Sequence, residues 1–219
     1  MNIPIEVFLS HADEDKRIAR KIANALKTYH IKVFVAHDDI DAGDDWETVL
    51  IEKIKDCDIF LVLLSENFHN AHYTDHEVGI ARGLNKQIVP IRIDNSNPYG
   101  FMSKFQAKKI TDDDMETEIA ELASKMASAT EKGKSAIDKL IQEFGESGTF
   151  YLANELSDAL FSYAKFSKEQ INAIAEAFLY NDQIRGGFRS GPRCESLFEE
   201  NWKKLDKSIQ RRLEAMSEE

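Results

Sequence analysis

Two cysteines in 219 residues cannot form a disulfide framework, and Cys57 and Cys194 stand too far apart to read as part of a zinc site. Both suit reduced, buried positions, the usage expected of a cytoplasmic protein. Together with six histidines they make no metal-ligand spacing, so no metal is expected. No apolar run approaches the roughly 18 residues that would suggest a membrane span. The segment from Met1 to Ser10 lacks the basic region and cleavage site of a signal peptide. Basic excess is missing as well. A net charge of −11 offers nothing to displace counterions from phosphates, which argues against general nucleic-acid binding. Repeats and low-complexity tracts are absent too.

What remains is an ordinary globular composition, 42% hydrophobic and 31% charged, long enough for one medium domain or two small ones. Residues 1–125 carry a net charge of −8 and residues 126–219 one of −3. The first half alternates short apolar runs with amphipathic stretches. Ile5 to Leu9 reads as a strand, and Glu14 to Tyr29 as a helix with Ile18, Ile22, Ala25 and Leu26 on one face. Val33 to Ala36 is a second strand. Asp44 and Glu47 have the spacing of a helix start, and Val49, Leu50, Ile54 and Cys57 continue that helix. Ile59 to Leu64 is apolar at every position, as in a parallel strand covered on both faces. A helix over Asp75 to Leu84, a fourth strand from Ile88 to Ile93 and a short fifth one near Lys108 to Ile110 complete the rhythm. Pro90 marks the fourth strand as lying near an edge. The alternation predicts a flavodoxin-like, doubly wound, parallel five-stranded α/β sheet.

Strand signals stop after Thr111. Met115–Met126, Ser135–Phe144, Phe150–Lys165, Glu169–Tyr180 and Cys194–Met216 all read as helices, with a capping-box spacing at Ser167 and Gln170. Breaks are expected at Gly145–Gly148 and Gly186–Pro192. Leu197, Phe198, Trp202, Leu205, Ile209, Leu213 and Met216 form one apolar stripe. The expected division is residues 1–125 for the α/β domain and 126–219 for a helical C-terminal domain.

An open parallel sheet binds its ligands beyond the carboxyl ends of its strands, where strand order reverses. With order 2-1-3-4-5 that point falls between strands one and three. Ser10, His11 and Asp13 follow the first, and Leu64, Ser65 and Phe68 the third. The turn from His37 to Asp45 borders the same crevice. Response-regulator receivers share this topology, but they need a phosphoacceptor Asp at the end of strand three. Here that strand ends in Leu63, Leu64 and Ser65, which excludes them.

At these residues the chain resembles the Toll/interleukin-1 receptor (TIR) family. Val7 to His11 with Asp13 and Asp15 looks like its first signature box. Asp38 through Trp46, with Gly43, looks like the loop after strand two. Leu63 to Ser65 leads into Tyr73 to Glu77, and Ile88 to Ile91 matches strand four. The likeness covers roughly residues 3–125. In NAD-cleaving members a glutamate on the helix after strand three is essential, commonly with an aromatic residue four positions earlier, and Glu77 with Tyr73 resembles that pattern. This segment has His72, Tyr73 and His76 in place of the Trp or Cys residues often found there. The resemblance implies Glu77 as catalytic residue and Phe8, Ser10, His11, Asp38 and Tyr73 as substrate-binding residues.

It further implies an NAD nucleosidase or cyclase of bacterial antiphage defence, with NAD as substrate and no separate cofactor. The products would be nicotinamide with ADP-ribose or a cyclic ADP-ribose-type signal. Homotypic TIR assembly and an upstream sensor or downstream effector are the implied partners. Two alternatives stand beside this: a non-catalytic TIR interaction module and a nucleoside transferase-like enzyme. Simpler roles also stand beside the individual residues. Glu77 could be a solvated helix residue, Ser10 and His11 could cap a turn, and Asp38 could form one. Tyr73 could pack beneath the site, while Trp46 and Trp202 suit core positions. Arg185, Arg189 and Arg193 could hold a phosphate or a partner's acidic strip, or lie solvated in a flexible connector.

Overall fold

A computed structural model describes residues 4–36, 46–163 and 165–217. Two compact units emerge, the first ending at Gly133 and the second beginning at Lys134. The expected division at residue 125 falls inside a helix, α5 (Met115–Ala129). Ile119, Leu122, Ala123 and Met126 of α5 are buried, and the helix packs on α1 (Lys16–Lys27), so it belongs to the first unit.

The first unit is built on β1 (Ile5–Ser10), β2 (Ile31–Val35), β3 (Ile59–Leu64), β4 (Gln87–Arg92) and β5 (Lys108–Lys109). All pairings are parallel, in the order β2-β1-β3-β4-β5, as the alternating sequence predicts. Every residue of β3 is buried, which is why its sequence shows no polar alternation. Register places Phe34, Phe8 and Phe60 side by side across three strands. Phe8 stacks on Phe60 at 5.2 Å between centroids and lies 5.4 Å from Phe34. α2 (Trp46–Asp56) and α4 (His72–Gly83) cover this face through Leu50, Ile54, Val78 and Ala81. Pro90 sits one residue before β5 begins to pair with β4, so its missing N–H disturbs no ladder on that side.

Asn85 leaves α4 with φ of 55°, a left-handed turn that asparagine tolerates without a glycine. Short α3 (Glu66–Asn70) precedes α4, so the expected helix from Asp75 begins three residues earlier and follows a separate turn. The expected N-cap Asp44 lies outside the described residues.

The second unit contains α6 (Gly133–Gly145), α7 (Phe150–Leu160), α8 (Lys168–Tyr180), α9 (Asp182–Arg185), α10 (Ser190–Glu200) and α11 (Lys207–Ser217). The capping box forms as its spacing predicts, with Ser167 accepting from the backbone N–H of Gln170. Cys194 to Met216, however, is not one helix. A single turn over Trp202–Lys204 and extended Leu205 separate α10 from α11. The folded stripe still buries Phe198, Leu205, Ile209 and Leu213, while Trp202 stays half-buried.

Gly186 to Pro192 is not a flexible connector either. A Cβ on Gly191 would come within 2.5 Å of the Arg185 carbonyl oxygen, so close approach of two backbones selects that glycine. Arg185 donates to the carbonyls of Phe178 and Leu179 at 2.8 and 2.7 Å, closing the end of α8. Arg189 and Arg193 both bind Asp158 of α7. All three arginines thus have partners within the unit. Among the described residues no helix is long and apolar enough to cross a membrane.

Candidate active site

A cavity of about 650 Å³ opens beyond the carboxyl ends of β1 and β3, where strand order reverses. His11, Ala12 and Asp13 line it from the β1 side, Asn67 and Asn70 from α3, and Tyr73 and Thr74 from α4. Trp46, the first residue of α2, also lines it and meets the Tyr73 ring edge-on at 5.0 Å. Sequence reasoning places Trp46 in the core. Its ring packs partly against the core and also forms part of the cavity wall.

The walls are tied together by side chains. Asp15, buried at the start of α1, accepts hydrogen bonds from the Ser65 hydroxyl and from Asn67 Nδ2, the latter at 2.9 Å. The same Ser65 oxygen accepts from the backbone N–H of Phe68 at 3.0 Å and so caps α3. Asp94, after β4, accepts from the Glu66 backbone N–H at 2.8 Å. Three strand-end loops are thus bound to one another. At the start of α4, Asp75 accepts from the Tyr99 hydroxyl at 2.7 Å, which anchors that end of the helix.

Glu77 lies one turn after Tyr73 on α4 and is almost fully enclosed, at 1% exposure. Ser10, the last residue of β1, donates its hydroxyl to Glu77 Oε2 at 2.5 Å. Burial pushes the Glu77 carboxyl up to about 7, and the Ser10 hydrogen bond, which favours the ionised form, opposes part of that rise. The carboxylate is therefore held by Ser10, the chain neighbour of the cavity-lining His11, and does not itself line the cavity. His11 is itself buried, with Nδ1 3.4 Å from the Leu9 carbonyl oxygen.

The structure brings Ser10, His11, Tyr73 and Glu77 to one end of the sheet. It does not bring Phe8 there. That side chain is fully enclosed in the ring stack on Phe60, because it lies mid-strand beneath α2 and α4, on the same face as Ser10 but short of the carboxyl end where Ser10 stands. Asp38 lies outside the described residues. Asp15, Ser65 and Asn67 form a network that sequence spacing could not reveal, since Asp15 stands 50 and 52 positions from its two partners.

Parallel strands ordered 2-1-3-4-5, covered by helices on both faces and opening at the reversal point, make the first unit a flavodoxin-like doubly wound domain. Residues 7–123 match the family model of the TIR domain, and the chain belongs to that family. Among solved structures it is similar to the TIR domain of the Toll-related Receptor TRR-2 from the lower metazoan Hydra magnipapillata. Identity is 22% and the TM-score 0.43, over 51% of this chain and 87% of that one. No curated protein matches the chain.

Proposed function

We propose that this TIR chain cleaves NAD, releasing nicotinamide, with Glu77 as the catalytic carboxylate. The supporting observation is the Ser10–Glu77 pair, a buried ionisable group held at the switch point of the sheet beside a cavity of ligand size. The bond to be broken suits such a site. Most glycosidases need a second carboxylate to protonate the leaving group. Nicotinamide in NAD is a cationic pyridinium and departs neutral, so one anion near the ribose suffices to stabilise the oxocarbenium-like transition state. The reading carries over NAD and further TIR domains as partners, and ADP-ribose or a cyclic isomer as product.

A specific observation favours the runner-up, a non-catalytic interaction module: Glu77 is enclosed and absent from the cavity wall. On the enzymatic reading, the residues between cavity and carboxylate must shift when substrate binds.

Incubation of the purified protein with NAD, with products resolved by chromatography, separates the two. Nicotinamide release is expected, and Glu77→Gln is expected to reduce it by about a hundredfold or more while leaving the fold intact. Turnover equal to wild type in a folded Glu77→Gln protein would refute the assignment. Absence of release at every concentration, with TIR–TIR binding retained, would favour the interaction module.

A further inference from the structure

We infer that Ser10 is the positioning residue for Glu77, holding the carboxyl group in one orientation at the end of β1. The inference rests on the proposed role of Glu77 and assigns Ser10 a different task from contact with substrate. Ser10 is fully buried and does not line the cavity, so its hydroxyl is not offered to a ligand in this arrangement. It is directed instead to Oε2 of Glu77, 67 positions along the chain and on a different element.

The pairing follows from the fold. β1 is the strand at the reversal point, and α4 follows β3, its neighbour in the sheet. The last side chain of β1 therefore meets the helix at the position of Glu77. A hydroxyl suits this contact because it is small enough for a fully enclosed position and donates to a carboxylate without adding charge. A lysine or arginine there would pair permanently with the carboxylate and quench the anion that the chemistry requires.

The consequences are directional. A hydrogen bond to the ionised form favours that form, and Ser10 is what opposes burial at Glu77. Without the hydroxyl, Glu77 should take up its proton at higher pH and lose its fixed orientation. The other described titratable groups at this end are His11, Asp13, Glu14 and Asp15 from the β1 side and, on α4 itself, His72, Tyr73, Asp75 and His76. Ser10→Ala leaves all of them in place, so a change confined to Glu77 is readable.

The test uses the full chain with carbon-13-labelled glutamate carboxyl groups, the Glu77 signal being assigned by its loss in Glu77→Gln. Following that signal against pH, Ser10→Ala is expected to raise the Glu77 midpoint by about one pH unit, a tenfold change in proton affinity. Ser10→Thr, which keeps the hydroxyl, is expected to restore it. In the NAD assay, Ser10→Ala should lower kcat more than it raises KM, and the acid limb of the pH profile should move to higher pH by the same interval. An unchanged Glu77 midpoint in folded Ser10→Ala overturns the inference, whether or not NAD is cleaved. A midpoint that shifts in Ser10→Ala, when the wild-type protein never releases nicotinamide, supports the Ser10–Glu77 coupling and refutes the catalytic reading of Glu77 instead.

Discussion

The two units bury polar groups for different ends. Among the described residues, the buried polar and charged ones of the TIR unit are Ser10, His11, Asp15, Ser65, Thr74 and Glu77. Three of these are ionisable, and all belong to β1, β3 and the segments that follow them. In the helical unit they are Ser147, Asn154, Ser157, Gln170 and Ser190, all neutral. Asn154 Oδ1 accepts from the backbone N–H groups of Arg189 and Ser190, Ser190 donates to the Ile184 carbonyl, and Gln170 completes a helix cap. The second set serves backbone groups at turns and helix ends, where a folded chain needs partners anyway. The first set includes charge that burial makes costly and that backbone satisfaction alone does not require. That contrast, more than cavity size, separates a candidate site from well-packed scaffold.

The largest effect that could break the comparison concerns the cost of Glu77. Its carboxyl is raised from 4.5 to about 7 by burial, so the folded chain holds this proton more tightly than the unfolded chain does. Stability from this group is then fully present below about pH 4.5 and declines as pH rises through about 7, by on the order of 3 kcal/mol in all. Glu77→Gln should remove that decline and be more stable than wild type at pH 8. Denaturant unfolding of both proteins from pH 5 to 8 measures it. Parallel pH profiles would mean that Glu77 is no more strained than the neutral residues of the helical unit.

The next effect sets one buried acceptor from each unit against the other. Asp15→Ala strips the acceptor from the Ser65 hydroxyl and from Asn67, and Asn154→Ala strips it from two backbone N–H groups. Each should cost about 1–3 kcal/mol of stability in its own unit, because a buried donor left unmet loses its hydration without return. Activity should distinguish them. Asp15→Ala loosens the wall carrying Asn67 and is expected to reduce nicotinamide release about tenfold, whereas Asn154→Ala should leave it unchanged at a temperature where both variants stay folded. Equal effects on activity would erase the division between site and scaffold.

Much of the sheet is legible in the sequence because burial on both faces writes itself as unbroken apolar runs, as in Ile59 to Leu64. The switch point follows from strand order, so the loops after Ser10 and Leu64 can be named before any side chain is placed. What cannot be read is which polar groups find each other. Ser10 reads as a substrate contact or a turn cap until the fold sets it against Glu77, and Asp15 reads only as part of a signature box until Ser65 and Asn67 meet it. Phe8 stands two residues from Ser10 on the same strand face and so suggests the crevice, yet its mid-strand position puts it under α2 and α4 in the ring stack. In the helical unit the apolar stripe runs through Trp202 and Leu205 without a glycine or proline to mark the interruption. Helical periodicity therefore overstates the length of that helix.

The smallest expected effect belongs to the arginines around Gly186–Pro192, the feature of the helical unit that most resembles a ligand site in sequence. Arg189 reaches Asp158 at 3.0 Å and Arg193 binds the other carboxylate oxygen, with Ser157 accepting from Arg193 at 3.0 Å. Asp158 is 32% exposed and the arginines 40% and 39%, so water screens these pairs. Exposed ion pairs of this kind contribute less than about 1 kcal/mol each. Arg189→Gln and Arg193→Gln should therefore change unfolding free energy only slightly and leave nicotinamide release at the wild-type level. Inorganic phosphate titrated into the wild-type chain should show no arginine-dependent heat of binding, because Asp158 already takes both guanidinium groups. Phosphate binding that disappears in Arg189→Gln or Arg193→Gln would show that the pairs open for an anion, and would move this cluster from scaffold to site.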